Sequence, residues 1–463
     1  MQFRKESDSI GELNVPINAY YGVQTLRGFN NFQITGVKVN DNFVKNVVRV
    51  KKACAIANYN ADEISKEIYD AIILACEDAL NGKLDDAFIT DAIQGGAGTT
   101  LNMNVNEVIA NRATEILGGK MGEYICHPND HVNKGQSTND VIPTAGKLTI
   151  IEFTNSLIES LDNLIIELDK KAVEFDDIVK MGRTQLEDAV PIRLGQEFNA
   201  YASALKRCKK MIISATEYMY TINLGATAIG TAINAAPKYL NEGVEDLSKV
   251  VGYTLTQADD LIDSTQNLDA FAYVSGGLKS LAIALSKMSN DLRLSASGPR
   301  TGLMEINLPP MQNGSSIMPG KVNPVIPEVV SQVAFAVIGN DTTIAMACEG
   351  GQFELNAFEP VIFYKLFESL TALKNAMDTL TKNCIVGITA NREVCQELLD
   401  HSVGIVTALC PIIGYKKSVV LAKKALKENI PIKKLVVDEG ILTQEEVDKV
   451  FDAFALTQPK RNK

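Results

Sequence analysis

The clearest pattern in the chain is a set of long stretches in which apolar residues recur every three or four positions. One stretch runs from Leu157 through Leu161, Leu164 and Leu168 to Phe175. Three later stretches share the spacing: Phe271, Val274, Leu278, Leu281, Leu285, Met288 and Leu292; Ile326, Val330, Val333 and Val337; Phe363, Leu366, Leu370, Leu373, Met377, Leu380 and Cys384. This spacing places apolar side chains on one face of an α-helix. The sequence therefore predicts long helices here, with a further helix over about 194–221.

These predicted helices have roughly 20–30 residues, whereas a globular helix usually has ~11–12. Spacing that alternates between three and four over several heptads favours nearly straight helices that pack at shallow angles. Helices that are apolar on more than one side are typical of a bundle that continues into neighbouring subunits. We therefore predict a mainly α protein and interpret the apolar stripes as core, not as cofactor sites.

The regions on either side of these long helices differ in character. The N-terminal part is mixed, with turn-rich pieces, short helical patterns over about 41–81 and a glycine-rich stretch. The C-terminal part has shorter helical patterns and many lysines. We predict three domains: residues 1–138, 139–393 and 394–463.

Composition and charge limit the kinds of function that the protein can have. Of the 463 residues, 46% are hydrophobic and 22% charged, as in an ordinary soluble globular protein. No apolar run approaches the ~18 residues needed to cross a bilayer, and the charged start of the chain lacks the apolar segment of a signal peptide. We expect a cytoplasmic protein without a membrane partner. The net charge of −11 argues against nucleic acid as well.

Cysteine and histidine usage limits the chemistry further. The eight cysteines are scattered without paired C-x-x-C spacing, which argues against a zinc site or a disulfide framework. The three histidines are His127, His131 and His401, and we interpret the last two as structural.

The segment Gly314–Pro324 differs most from this helical background, because it combines two hydroxyls, one ammonium, one amide, two glycines and two prolines. The glycines permit unusual backbone angles and the prolines stiffen the chain. This composition predicts a loop that can close over a ligand, followed by a helix. Ser315 offers a base or a nucleophile, Lys321 a positive charge, and Asn323 an amide for a carboxylate or an amine.

Three further polar clusters interrupt the helical pattern: Gly98–Thr100, Gln136–Asp140 and Met181–Gln185. They are rich in neutral hydroxyls and amides, which can hydrogen-bond the oxygens of a small dianion. Taken singly, each cluster is more often a helix cap or a turn, because Ser, Thr and Asn are preferred N-caps.

In combination, these motifs resemble the fumarase/aspartase superfamily, and its aspartases over nearly the whole chain. The matching segments are Tyr21–Thr25, Gly95–Thr99, Asn102–Glu107, Gln136–Asp140, Gly182–Leu186, Ser297–Arg300 and Gly314–Pro324. The resemblance implies three domains, a central five-helix bundle, and a homotetramer with a twenty-helix core whose active sites are each shared between three subunits. It also implies L-aspartate, fumarate and ammonia as the small-molecule substrates, with no organic cofactor required.

The resemblance further implies a role for each matching residue. Ser315 would be the general base that removes a proton from the carbon next to the β-carboxylate. Four positions match the donors that stabilise the resulting aci-carboxylate: Thr99, Ser137, Thr138 and Ser316. Three match the residues around the α-carboxylate, Lys321, Asn323 and Thr184, and Asn139 matches the contact to the amino group. A serine base needs a stabilised alkoxide, which loop N–H groups and the Lys321 charge supply once the loop excludes water.

Gln185 bears on the choice of leaving group. Fumarases carry a histidine at this position, and hydroxide needs a proton from a general acid in order to leave. An aspartate ammonium already carries its proton, so a neutral glutamine suffices. We therefore expect an ammonia-lyase. The alternatives are a fumarate hydratase and a non-catalytic member of the superfamily.

Two further features of the sequence can each be interpreted in more than one way. Glu328 matches the fumarase partner of the missing histidine; it either orients Gln185 or Lys321, or favours the start of a helix by its charge. The string His127, Asn129 and Asp130 resembles a second dicarboxylate site of fumarases, and some aspartases are activated at an accessory site by a divalent metal such as Mg²⁺. As a ligand pattern it is weak, and a turn is favoured, so we assign no metal site.

Overall fold

The protein is mainly helical in a computed structural model that describes residues 2–458. Five helices have 23 to 37 residues. They are Thr138–Glu174, Leu194–Thr216, Asp269–Ser295, Val325–Glu349 and Glu359–Asn383. Each overlaps a stretch for which the sequence predicts a long helix. The second ends before 221, because a 3₁₀ turn and a short strand follow Thr216.

The remaining helices are shorter. In the first half of the chain they are Val23–Asn31, Asp41–Asn60, Lys66–Leu80, Thr99–Ile116 and Pro237–Val251. Asp263–Gln266 follows, and the C-terminal part contains Arg392–His401, Cys410–Ile413, Tyr415–Glu428, Ile432–Asp438, Gln444–Val450 and Ala453–Leu456. Four two-stranded pairs complete the described chain: Phe3–Ser7 with Glu12–Pro16, Val179–Thr184 with Glu187–Arg193, Thr221–Ile222 with Thr256–Gln257, and Ile306–Asn307 with Thr389–Ala390.

The chain falls into two compact units. The first unit comprises the residues up to Leu157 together with Lys210–Ser280 and Ala336–Leu373, and the second comprises Ile158–Lys209, Leu281–Phe335 and the residues from Lys374 onward. Helices begin at Thr138 and Arg392, close to the two predicted boundaries. The division into three domains stays a prediction.

In the first unit, aromatic side chains join the long helices. The Phe363 ring lies 5.0 Å from the Phe43 ring and 5.2 Å from the Phe271 ring, measured between centroids. Gly146 makes room for this packing, because a Cβ at that position would lie 2.2 Å from Phe363 Cε1. Four helices therefore meet around one phenylalanine.

In the second unit, polar and aromatic contacts join three long helices. Lys209 Nζ lies 2.6 Å from Asp162 Oδ1, and the Tyr201 hydroxyl donates to Asp291 Oδ2 over 3.1 Å. The short C-terminal helices enclose a small core of their own, in which Leu409 and Val436 are fully buried. The predicted change to shorter helices is confirmed.

One expectation about apolar runs was wrong. Helix Val325–Glu349 is long and apolar enough to cross a membrane by length and composition alone. The sequence pattern hid this, because polar residues interrupt the apolar ones, although only three residues of the helix, Glu328, Asp341 and Glu349, are charged. The core helices of bundles pass the same test, since they are apolar on several sides.

The eight cysteines are free thiols, six of them buried and two half-buried. Burial raises the pKa of Cys54 to about 12, so this thiol stays protonated. Most of these thiols are therefore shielded from solvent.

Candidate active site

The predicted site residues fall into two groups, each within one unit. The first unit holds Thr99, Ser137, Thr138 and Asn139, with His127, Asn129 and Asp130. The second unit holds Thr184, Gln185, Ser315, Ser316, Lys321, Asn323 and Glu328. Each group has its own supporting contacts.

The glycine-rich stretch before Thr99 forms the turn that starts helix Thr99–Ile116. Gly98 has φ of +89°, a left-handed conformation that favours glycine. Gln94 Oε1 accepts a hydrogen bond from Leu101 N over 2.9 Å and so caps the helix. The exposed Thr99 donates its own hydroxyl proton to Gly96 O over 2.6 Å.

Ser137, Thr138 and Asn139 form the start of the longest helix. Ser137 N donates to Asp140 Oδ1 over 2.9 Å, and Asn139 N donates to Ser137 Oγ over 3.2 Å. This is the cap that the sequence favours for the cluster. Asn139 Nδ2 donates to Ala228 O over 2.7 Å, which orients the amide.

The hydroxyls of Thr138 and Thr99 play opposite roles in their hydrogen bonds within the protein: the first accepts and the second donates. Thr138 Oγ1 accepts from Asn102 Nδ2 over 3.3 Å, and Ser137 Oγ likewise accepts an N–H. A hydroxyl that accepts from the protein keeps its proton for another acceptor. Ser137 and Thr138 are therefore oriented as donors, whereas Thr99 must rotate its proton to become one.

A buried polar network supports this helix start. Asp140 accepts from Gly225 N and Thr227 N, each over 3.1 Å, and burial raises its pKa to about 6. Lys51 Nζ donates to Asn133 Oδ1 over 2.8 Å and to Gln136 Oε1 over 2.9 Å. Burial lowers the pKa of Lys51 to about 7. We did not predict Lys51; the available signal is a lysine within an otherwise apolar face of helix Asp41–Asn60.

Two of the matching motifs contact each other. Glu107 Oε2 accepts from Gly22 N over 2.8 Å and from Thr25 Oγ1 over 2.6 Å at the start of helix Val23–Asn31. A Cβ on Gly22 would lie 2.2 Å from the Tyr124 hydroxyl, so only glycine fits there. The motifs around Gly22 and Glu107 therefore serve the fold.

Thr184 and Gln185 stand at the tip of a β-hairpin that we did not predict. Thr184 pairs with Glu187, so Gln185 and Leu186 form the two-residue turn. Their φ values are +56° and +66°. A two-residue hairpin turn requires such angles, but side chains other than glycine adopt them only under strain. The tip presents both Thr184 and Gln185 to the exterior of the described chain.

Loop Gly314–Pro324 is folded back on itself. Gly314 N donates to Lys321 O over 2.8 Å, and Asn323 Nδ2 donates to Gly314 O over 2.6 Å. Ser315 Oγ accepts from Ile317 N over 3.2 Å and from Met318 N over 2.9 Å. Within residues 2–458, Ser316 Oγ has no hydrogen-bond partner. The two serines thus differ: backbone donors surround the first hydroxyl alone.

The charged residues near this loop are not paired with each other. Lys321 is exposed and makes no ion pair inside the described part of the chain. Glu328 lies in the first turn of helix Val325–Glu349, where a negative charge is favourable. Over the described chain it bonds neither Gln185 nor Lys321, so its observed placement fits the helix-start interpretation.

The accessory residues form a turn. His127 Nδ1 accepts from Asn129 N over 3.3 Å and from Asp130 N over 3.2 Å, at the start of the π-helical turn Pro128–Val132. Thr99, His127 and Asn129 share a cleft of about 580 Å³. In residues 2–458, no three His, Cys, Asp or Glu side chains lie close enough to hold a metal ion.

Comparison with known proteins agrees with these motifs. A family described as lyase matches residues 11–339, and one described as fumarase C C-terminus matches residues 405–458. A curated relative from Helicobacter pylori named aspartate ammonia-lyase is 50% identical over 459 residues, which is 98% of each chain. The chain belongs to the fumarase/aspartase superfamily.

Two solved structures of this superfamily share the fold. A fumarate lyase:delta crystallin from Brucella melitensis bound to cobalt has a TM-score of 0.96 and 45% identity, covering 99% of this chain and 100% of that one. A class II fumarase from Schistosoma mansoni also has a TM-score of 0.96, with 34% identity and the same coverage. The mainly helical fumarase/aspartase fold, with its five long helices, is thereby confirmed.

Proposed function

We propose that the protein is an aspartate ammonia-lyase, which converts L-aspartate reversibly to fumarate and ammonia. Membership of the superfamily and the 50% identity to a relative of that name support the proposal. The observation that carries it is the environment of Ser315, whose hydroxyl oxygen accepts two backbone N–H groups.

Ser315 acts in this proposal as the general base. It takes a proton from the carbon next to the β-carboxylate, and the electron pair moves onto the carboxylate oxygens. The N–H groups of Ile317 and Met318 hydrogen-bond the alkoxide form and so favour it. The uncompensated charge of Lys321 in the same loop acts in the same direction, and in addition attracts the substrate's α-carboxylate with Asn323 and Thr184.

The aci-carboxylate intermediate needs donors aimed at its oxygens. Ser137 and Thr138 have their protons available, since each accepts a hydrogen bond from the protein. Thr99 and Ser316 complete the set in our proposal. Each such donor typically contributes a factor of 10²–10³ to kcat. Asn139, oriented by Ala228, contacts the amino group.

Collapse of the intermediate then breaks the carbon–nitrogen bond. The leaving group departs as neutral ammonia, because the substrate's ammonium keeps its proton through the reaction. Gln185 at the hairpin tip is a neutral hydrogen-bonding group and supplies no acid. A fumarate hydratase would have to protonate its leaving hydroxide from another residue.

The proposal includes a homotetramer with a twenty-helix core and active sites shared between three subunits. The exposed apolar side chains of helix Val325–Glu349 support this, because Phe335 is 64% and Met346 70% exposed in a single chain. The proposal also includes a cytoplasmic location and no required organic cofactor. Activation by a divalent metal such as Mg²⁺ is tested together with the activity, and no site is assigned to the metal.

The ultraviolet absorbance of fumarate provides the test. Purified protein is added to L-aspartate or to L-malate, with and without Mg²⁺, and its mass is measured by analytical ultracentrifugation. Fumarate formed from aspartate alone supports the ammonia-lyase. Fumarate formed from malate alone would show a hydratase that works without the expected histidine. No product from either, in a folded tetramer, would favour a non-catalytic role.

A further inference from the structure

A carboxylate in the second unit, ten residues before Ser315, forms ion pairs with two positively charged side chains. The side chain of Glu305 is completely buried. Its Oε1 accepts from Arg183 Nη1 over 2.8 Å, and its Oε2 lies 2.8 Å from Lys180 Nζ. Both cations belong to strand Val179–Thr184, which leads into the hairpin tip.

The network is balanced in charge. Lys180 also donates to Glu197 Oε1 over 2.9 Å, so two carboxylates face two cations. Burial by itself lowers the pKa of Lys180, but the charges of Glu197 and Glu305 outweigh it and raise that pKa. Lys180 is therefore charged. A buried ion pair of this kind is weak support for stability but can select one arrangement of the chain.

Glu305 also belongs to the segment that leads to loop Gly314–Pro324. Its N–H donates to Ser295 O and its carbonyl accepts from Asn391 N, each over 2.9 Å. Strand Ile306–Asn307 begins at the next residue, and Ser315 follows ten residues after Glu305. One side chain thus joins the strand that carries Thr184 and Gln185 to the segment that precedes Ser315.

The hairpin tip requires such support. The register of the two strands shifts between Met181 and Arg183, and Gln185 and Leu186 hold left-handed angles. Strained angles at residues other than glycine persist only when the surrounding structure enforces them. Arg183 is the last charged residue before the tip, and its bond to Glu305 is its one ion pair in the described part of the chain.

We infer that Arg183 is a positioning residue, which through Glu305 holds the hairpin tip in the orientation that presents Thr184 and Gln185 to the substrate. The role in catalysis rests on the proposed function. The role in holding the tip does not rest on the proposed function, and it is tested by a measurement that does not involve enzyme activity.

The matched variants are Arg183→Met and Arg193→Met. Both arginines belong to the same hairpin and are similarly buried, with side chains 15% and 11% exposed. Arg193 pairs with Asp176 over 3.0 Å at the end of the hairpin opposite the tip. In Arg183→Met, Glu305 keeps Lys180 as its partner, so the variant is expected to fold.

The first measurement follows the tip directly. The chain has no tryptophan, so Leu186→Trp, at a position 73% exposed, places a single fluorophore at the turn. Fluorescence anisotropy should fall when Arg183→Met is added to this reporter and stay unchanged with Arg193→Met. Equal anisotropy in all three proteins would overturn the inference, whatever the enzyme's substrate is.

The second measurement is kinetic. Arg183→Met should lower kcat/KM for L-aspartate by roughly ten- to a hundredfold, because small displacements of positioning groups are costly. Arg183→Lys should recover part of this, and Arg193→Met should stay within about twofold. Combined with Gln185→Ala, Arg183→Met should add little further loss, since both changes act at the tip. Fully multiplicative losses, or an equal loss in Arg193→Met, would contradict a positioning role.

Discussion

The two segments that carry hydroxyls proposed for catalysis are built in opposite ways. Ser137 is supported by its buried neighbour Asp140, while Asn102 and Lys51, from distant parts of the chain, bond Thr138 and the adjacent Gln136. The loop around Ser315 is held mainly by hydrogen bonds between its own residues. Ile317 in that loop is 84% exposed, whereas Thr138 is 8% exposed.

This difference between the helix start and the loop fits the role that is proposed for each in catalysis. Donors that stabilise a developing charge work best when they are fixed before the reaction begins. A base that must be enclosed with its substrate has to move, and segments with few buried contacts open at low cost in free energy. We expect substitutions in the first segment to affect stability and activity together, and substitutions in the loop to affect activity alone.

The largest expected effect is the loss of the base. Ser315→Ala should lower kcat by roughly 10³-fold, within the range of general-base catalysis, without changing the thermal unfolding midpoint or the mass of the oligomer. Ser316→Ala keeps the hydroxyl that accepts the two N–H groups and should lose less. The reverse order of the two losses would identify Ser316 as the base.

The second-largest effect is expected from the loss of a hydrogen-bond donor that is fixed in place. Thr138→Val should lower kcat/KM by about 10²-fold and also destabilise the protein by roughly 1–3 kcal/mol, because Asn102 Nδ2 loses an acceptor in a buried place. Thr138→Ser should recover most of both losses. Kinetics and urea unfolding on the same samples provide the check; a loss of activity without a loss of stability would contradict the comparison.

The buried lysine should give stability a dependence on pH. The pKa of Lys51 is about 7 in the fold and ordinarily 10.5. Between these values the unfolded chain binds the extra proton, so this group makes stability rise with pH, by at most about 1.4 kcal/mol per pH unit. Below pH 7 both states are protonated and the contribution is constant.

Urea unfolding of the wild type and of Lys51→Met at several pH values would measure this contribution. The difference in unfolding free energy between the two proteins should shift in favour of the wild type as pH rises from 7 towards 10. Cys54, Asp140 and Cys76, the titrating groups whose charges act on Lys51, are present in both proteins. A difference that does not vary with pH would show that Lys51 titrates alike in both states.

The smallest effect is expected on the loop surface. Ile317→Ala should change the unfolding free energy by less than about 0.5 kcal/mol, because the side chain is already in water. Ile142→Ala, at a position 1% exposed beside Gly98, should cost roughly 2–5 kcal/mol. Similar losses in both variants would mean that the loop is as tightly packed as the helix start.

Much of the fold was predictable from sequence because helix periodicity is a local property. The apolar spacing identified four of the five long helices, a further helix was predicted over about 194–221, and glycine and proline placement identified Gly314–Pro324 as a loop followed by a helix. The cap at Ser137 followed from local residue preferences. The hairpin Val179–Arg193 escaped prediction, since Gln185 and Leu186 lack the glycine or asparagine that usually marks such turns.

The sequence by itself determined the helical class, the superfamily and which residues are candidates for the chemistry. Spacing and residue type can be read directly from the order of residues along the chain. Only the tertiary structure decided that the hydroxyl protons of Ser137 and Thr138 are available to a ligand, whereas that of Thr99 is donated to Gly96 O. It also decided that Lys51 and Glu305 are buried, and that Arg183 faces Glu305. These properties depend on partners that are far apart along the chain, and burial then sets the cost of every charge.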